Sequence, residues 1–355
     1  MESDSRPKKL INKGENNCFI NVVVQILWNS KEAREQIMKV LHSHLFEGQC
    51  ITCEIANLFI NMKYSDTDSF STQSLRHTLA NADLDQIDFV DHRMGCAIET
   101  CEKILDLLHK ESLIPGNENC NNECISHKYF SFEYCEEFNC CGMFEIGDVQ
   151  QGFLLRLYAN ELENAFLMVN NEACSFEDFL KIAVDNGMRS EVCKVCGNEK
   201  KVIKRWISTA RIFLISIVWD PENTHFSKFL LNSLSRILRS RRVFTAEDKQ
   251  ELTEKYYFRG MICYQYSHYC AFIYIEEEKS WYQVDDSYVK KMPNFKSIVT
   301  MMTSNKSIPV LLLYEIAPNN PNPVPAPVPK TDSLLKPSIV RKALPKNRDD
   351  CCLIF

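Results

Sequence analysis

The chain has 355 residues, 45% of them hydrophobic and 25% charged, with a formal net charge of −6. That is enough apolar material for one large domain or two smaller cores, and the acidic balance argues against nucleic acid as a main partner, because phosphate binding wants a basic face. Met1 to Lys9 lacks the apolar stretch of a signal peptide and no apolar run is long enough to cross a bilayer, so the expected compartment is cytoplasmic, with the 17 cysteines serving as reduced thiols, metal ligands, a nucleophile or lipid acceptors.

Residues 1–9 are expected as a flexible lead, and the globular body as 10–316. Phe19 to Trp28 is apolar on nearly every face, with Asn21 and Gln25 forming one polar stripe at i, i+4; a helix that apolar is buried. Lys31 to Leu45 and Ala97 to His109 also read as helices. Ser175-Phe176-Glu177-Asp178 resembles a capping box before a helix that Gly187 would close. The second half is rich in strands: Arg211 to Trp219, Gly260 to Tyr264, Tyr269 to Ile275 and Pro309 to Tyr314. Helices first and strands later give an α+β fold. Arg236, Arg239, Arg241 and Arg242 read as a solvated basic face. The segment 317–350 opens with a proline tract, an extended spacer, and continues as a basic stretch too poor in apolar residues to fold alone.

The chemistry lies at the two ends of the body. Cys18 would stand at the N-terminus of the buried Phe19–Trp28 helix, where backbone N–H groups and the helix dipole favour a thiolate. His268 falls at a strand start, and Asp285 or Asp286 follows one hairpin later, placing imidazole and carboxylate on adjacent antiparallel strands. A thiol, a base to take its proton and a group to orient the base are what cysteine nucleophilic catalysis requires.

The words around these residues resemble the ubiquitin-specific protease family of deubiquitinases. Asn16-Asn17-Cys18-Phe19-Ile20-Asn21 with Gln25 is similar to the family's first motif. Ser267-His268-Tyr269, then Trp281-Tyr282-Gln283-Val284-Asp285-Asp286 and Val289, is similar to the second at the family's own spacing. The likeness is nearest the fifty-three/fifty-four branch, whose members have often been labelled inactive. It implies a papain-like architecture of helical thumb, β-rich palm and fingers. It also implies ubiquitin and ubiquitinated proteins as partners, and hydrolysis of the isopeptide bond after the ubiquitin C-terminal glycine. Cys18 would be the nucleophile, His268 the base and Asp285 its orienter, with Asp286 the alternative. The family has an oxyanion-donating Asn five positions before its Cys; Lys13 stands there, so Asn12, Asn16 and Asn17 are the candidates. Ser267 replaces the family's Gly before the His. The rival readings are a ubiquitin-binding scaffold of the same fold with little or no turnover, and a papain-like acyltransferase or protease on another substrate.

Cys193-Lys194-Val195-Cys196-Gly197 has zinc-knuckle spacing. The family's fingers often carry two such pairs around one structural zinc, which implies Cys141, Cys193 and Cys196 as ligands with Cys140 or Cys135 as the fourth. No cofactor is expected for catalysis. Cys50 and Cys53, with a Cys-His pair drawn from Cys120, Cys124 and His127, could form a second tetrahedral set. Separately from the family resemblance, the end at 351–355, Cys351-Cys352-Leu353-Ile354-Phe355, contains a CaaX box. Prenylation of Cys352, with Cys351 as a palmitoyl acceptor, is expected to make the chain a peripheral membrane protein.

Overall fold

The computed structural model describes residues 6–40, 50–82, 89–90, 92–113, 120, 123–141, 143–169, 174–185, 192–198, 201–221, 224–247 and 252–316. Gly187 and the whole of 317–355, including the proline spacer and the terminal cysteines, lie outside the described residues.

The chain opens with strand β1 (Lys9–Ile11) and enters helix α1 (Cys18–Asn29). Helix α1 is rich in β-branched residues, which favour helix weakly, and every residue from Cys18 to Trp28 is buried. Burial rather than propensity therefore makes this helix. Ser30 stops it, with its N–H and Oγ both donating to Ile26 O at 3.1 and 3.0 Å, while the Arg34 guanidinium takes Trp28 O at 2.8 Å. Helix α2 (Lys31–Ile37) is shorter than the sequence suggested, and 41–49 lie outside the described residues. Helix α3 (Ile51–Tyr64), strand β2 (Ser69–Ser71), helix α4 (Gln73–Ala82) and helix α5 (Ala97–Lys110) complete a helical lobe. The Glu111 carboxylate caps α3 by accepting from the N–H groups of Ile51 and Thr52, both at 2.8 Å, an anion placed at a helix N-terminus.

A π-helical turn at Ser126–Phe130 leads into strands β3 (Phe132–Cys140), β4 (Met143–Ile146), β5 (Gln150–Gly152) and β6 (Leu155–Tyr158). Helices α6 (Ala159–Val169) and α7 (Phe176–Asp185) follow. Asp178 accepts from both N and Oγ of Ser175, at 2.9 and 2.7 Å, so the box expected at the start of α7 closes through Asp178. The remainder comprises β7 (Lys201–Ser208), β8 (Ile212–Val218), α8 (Ser227–Ser233), β9 (Ile237–Arg239), α9 (Ser240–Val243), β10 (Thr245–Ala246), β11 (Lys255–Gln265), β12 (His268–Ile275), β13 (Ser280–Asp285), β14 (Tyr288–Met292), α10 (Phe295–Asn305) and β15 (Ile308–Ile316).

Besides the small parallel pair β1–β2, two sheets follow from this order. The larger runs β14-β13-β12-β11-β15-β8-β6, with β9 beside β11; the smaller runs β10-β7-β3-β4, with β5 beside β3. This is the α+β architecture of helical lobe, palm sheet and fingers sheet, though α6 to α10 are interleaved with the strands rather than gathered at the front. Aromatic packing joins the sheets: Trp206 of β7 lies 4.2 Å from Phe244, and Phe213 of β8 is 5.2 Å from Phe244 and 5.5 Å from Phe132. Helix α1 packs against both α5 and β12, which brings the two chain ends together. Gly260 permits the close approach of β11 to β12, since a Cβ there would meet Phe272 O at 2.7 Å.

Residues 6–9 are tied down rather than a loose lead. Trp28 Nε1 donates to Arg6 O at 3.0 Å, the Lys8 N–H reaches Gln25 Oε1, and Gln25 Nε2 returns to Lys8 O. The polar stripe on α1 therefore has a partner: it holds the N-terminal segment along the helix.

Candidate active site

Cys18 is the first residue of α1 and is 3% exposed. The loop before it is built from left-handed turns, at Gly14 (φ 77°) and Asn16 (φ 55°). A buried guanidinium fixes it. Arg76 on α4 donates to Glu15 O at 2.6 Å, Asn17 Oδ1 at 2.7 Å, Val90 O at 2.6 Å and Phe89 O at 3.1 Å, and also to Arg93 O. It lies over the Phe19 ring at 5.3 Å. Nothing in the local sequence announces this residue.

The three asparagines fare differently. Asn17 gives both amide hydrogens away, to Glu15 Oε2 at 2.9 Å and Gln73 Oε1 at 3.0 Å. Asn16 donates to His92 O at 2.7 Å on an exposed loop. Asn12 accepts the Asn17 N–H at 3.0 Å and donates one amide hydrogen to Asp286 Oδ2 at 2.8 Å, which leaves its second amide hydrogen unassigned by these contacts.

His268 opens β12, and Asp285 closes the neighbouring strand β13. His268 Nε2 and Asp285 Oδ1 are 2.6 Å apart, so Nδ1 is the ring nitrogen left for Cys18, whose thiol lies near enough to perturb the imidazole. The Asp285 bond, then the Cys18 thiol, push the His268 pKa up to about 10 against a smaller opposing effect of burial. Asp286 serves elsewhere: beyond the end of β13, at φ 48°, its carboxylate accepts from Asn12 and from Asn21 Nδ2 at 2.7 Å, and its carbonyl accepts the Leu10 N–H at 3.0 Å. The geometry thus separates the two aspartates that the sequence left as alternatives.

Gln265 pairs with His268 across a two-residue turn, Tyr266-Ser267, in which both φ values are positive, 47° and 58°. Tight hairpins prefer such a turn because its twist matches that of the strands. The Ser267 position suits Gly on backbone grounds, and a Ser there is strained.

At the tip of the fingers, Cys140, Cys141, Cys193 and Cys196 bring their sulfurs within 4.8 Å of one another. Cys140 Sγ is 3.4 Å from Cys196 Sγ and 3.7 Å from Cys141 Sγ, against about 3.8 Å between thiolates on a tetrahedral zinc. Backbone N–H groups of Cys196 and Val195 hold the Cys193 pKa down at about 6. This donor set could hold a zinc. Cys135 is not part of it: buried in β3, its thiol faces Arg205 O and Glu247 Oε1. Cys50 is also apart from Cys120, Cys124 and His127, because it caps α3 and its thiol donates to Glu111 Oε2 at 3.2 Å. His109, unremarked in the sequence, joins those three instead.

The sequence profile of ubiquitin carboxyl-terminal hydrolases matches residues 8–314. The chain belongs to this family. Human ubiquitin carboxyl-terminal hydrolase 53 is 26% identical over 330 residues, covering 88% of this chain and 30% of that protein. Mouse ubiquitin carboxyl-terminal hydrolase 54 is 26% identical over 313 residues, covering 85% of this chain and 20% of that protein. The chain therefore spans under a third of the length of these relatives. Among solved structures, the fold is shared with the SAGA Ubp8/Sgf11/Sus1/Sgf73 DUB module bound to ubiquitin aldehyde, at a TM-score of 0.60 and 17% identity, covering 90% of this chain and 71% of that one. The same module bound to monoubiquitin matches at a TM-score of 0.61 and 17% identity, with the same coverage of 90% and 71%.

The left-handed Ser267 yields one prediction. Ser267→Gly should stabilise the protein by up to about 1 kcal/mol by relieving the turn, seen as a raised midpoint in urea. A lowered midpoint would mean that the Ser side chain makes a compensating contact.

Proposed function

We propose that this chain is a thiol-dependent deubiquitinase that uses Cys18, His268 and Asp285. The observation carrying the proposal is the 2.6 Å bond from His268 to Asp285 with the Cys18 thiol beside the same imidazole, assembled from opposite ends of the chain. Family membership and ubiquitin-bound solved structures of the same fold support ubiquitin as partner. Cys18 attacks the carbonyl carbon of the ubiquitin C-terminal glycine. His268 takes the thiol proton and returns it to the departing lysine amine, and water then hydrolyses the thioester. Asp285 holds the imidazole in place and stabilises its charged form. Of the oxyanion candidates, Asn12 is best placed, with the Cys18 N–H, which has no acceptor within its helix, as the second donor. The fingers cysteines, Cys140, Cys141, Cys193 and Cys196, would hold one structural zinc that ties the end of β3 to the 192–198 knuckle. Where Cys352-Leu353-Ile354-Phe355 forms the end of the mature chain, Cys352 is proposed as the prenyl acceptor, with Cys351 beside it as a second lipid site.

Four measurements test this reading. A ubiquitin probe with an electrophile at its C-terminus should form a covalent adduct with the native chain and none with Cys18→Ala. A folded native chain that forms no adduct would favour the non-catalytic ubiquitin-binding scaffold. Asn12→Ala should lower kcat by about a hundredfold to a thousandfold with ubiquitin affinity retained; an unchanged kcat removes Asn12 from the oxyanion site. The third concerns pH. Because the His268 pKa is raised from 6.5 to about 10, the imidazolium that protonates the leaving amine persists at neutral pH and is lost as pH rises through the higher value. Asp285→Asn removes the largest cause of the rise, so the alkaline limb of the kcat/KM profile should move to lower pH. A limb that stays in place would show that Asp285 does not set the His268 charge. Lastly, Cys352→Ser should release the full chain from membranes in a eukaryotic cell, and unaltered fractionation would refute lipidation there.

A further inference from the structure

A second cluster of metal-ligating side chains lies away from both the catalytic residues and the fingertip. His109 lies in the last turn of α5, Cys120 and Cys124 sit in the connection that follows, and His127 lies in the π-helical turn Ser126–Phe130. Their four donor atoms lie within 4.8 Å of one another. Cys124 Sγ is 3.6 Å from His109 Nδ1 and 3.2 Å from His127 Nδ1. A thiolate sulfur and an imidazole nitrogen on one tetrahedral zinc are about 3.6 Å apart, given bond lengths of about 2.3 and 2.0–2.1 Å.

The surroundings point the same way. The His127 backbone N–H also approaches Cys124 Sγ, at 3.3 Å. One sulfur therefore accepts a backbone N–H and also faces two imidazole nitrogens, whereas a thiol has a single proton to offer those rings. His127 Nε2 sits 2.8 Å from Gln151 Oε1, and Gln151 Nε2 donates to Glu133 Oε1 at 3.2 Å. The Glu133 carboxylate fixes which end of the Gln151 amide is oxygen, so that oxygen receives the Nε2 hydrogen. The His127 lone pair is then on Nδ1, the atom aimed at the cluster. Metal-bound imidazoles are oriented by an outer acceptor in this way. Phe153 packs against both rings, with centroids 6.2 Å from His109 and 5.3 Å from His127, and Cys124 is only 8% exposed.

We propose that His109, Cys120, Cys124 and His127 bind a zinc ion, a Cys₂His₂ structural site at the base of the fingers. Two thiolates neutralise the divalent charge, which suits a partly buried position. Binding fastens the last turn of α5 to the segment that enters β3, so the helical lobe and the root of the fingers sheet are clamped to each other. Four protein ligands complete the tetrahedral shell of a zinc ion and leave no open position for water or substrate, which makes the role structural.

Zinc content of the full chain, purified under reducing conditions without chelator, tests the assignment. Cys124→Ser and His109→Ala should each lower the zinc content by one equivalent per chain, whether the native chain holds one or two. Cys196→Ser at the exposed fingertip should leave this zinc in place. Retention of the full native content by Cys124→Ser and His109→Ala overturns the proposal. If those variants fail to fold, Cys196→Ser decides. Loaded with cobalt(II), it should show tetrahedral d–d absorption with the thiolate charge-transfer intensity of two sulfurs. A Cys196→Ser chain that binds no metal, or whose spectrum requires four sulfurs, overturns it equally. None of these readouts depends on hydrolase activity.

Discussion

The Asp286 carboxylate is the point on which the two ends of the molecule meet. It accepts from Asn12 and Asn21, while its backbone carbonyl accepts from Leu10. One turn of the palm sheet is thereby bonded to the N-terminal strand, the loop before Cys18 and the first turn of α1. Each hydrogen bond to an ionised group contributes about 1.5–3 kcal/mol. Their geometric effect matters more. Cys18 rides on α1, whereas His268 and Asp285 ride on the sheet, and reactive groups must meet within a fraction of an ångström. Asn21 also accepts from Thr72 Oγ1 at 2.6 Å, which extends the connection to the start of α4.

Arg76 makes the complementary arrangement on the other side of Cys18. Burying a cation is very costly unless its donors are satisfied, and here guanidinium donors are met by backbone carbonyls and the Asn17 amide oxygen. Those carbonyls belong to the loop before Cys18 and to the segment around 89–93, so one planar fork holds both. Lysine has neither the number nor the spread of donors to replace it.

How much of this was readable in the sequence varied with what each residue does locally. Phe19 to Trp28 was legible because a helix buried on every side has an unmistakable composition, and Asn21 and Gln25 stood out against it. The central palm strands β8, β12 and β15 were legible as continuous apolar runs. Strands β3 and β7 were not, because they carry charge on their faces, as the Arg205–Glu137 pair at 2.6 Å shows, and so lack clean alternation. Cys18, His268 and the two aspartates could be singled out, but adjacent carboxylates cannot be told apart without knowing where β13 ends. Arg76 and His109 left no local signal: one is a cation on an otherwise ordinary helix, the other a polar residue in the last turn of an amphipathic one. Their partners are fixed only by tertiary structure.

The bond from Leu10 to Asp286 has a temporal side. It closes a loop of most of the chain's length, and contacts so distant in sequence form slowly, since the entropy of closure must be overcome before they add any stability. On a ribosome the helical lobe emerges first, with Cys18 in place and His268 not yet made. Cys18 and its His268–Asp285 partners are therefore assembled as one of the last events of maturation rather than gradually with the nascent polypeptide.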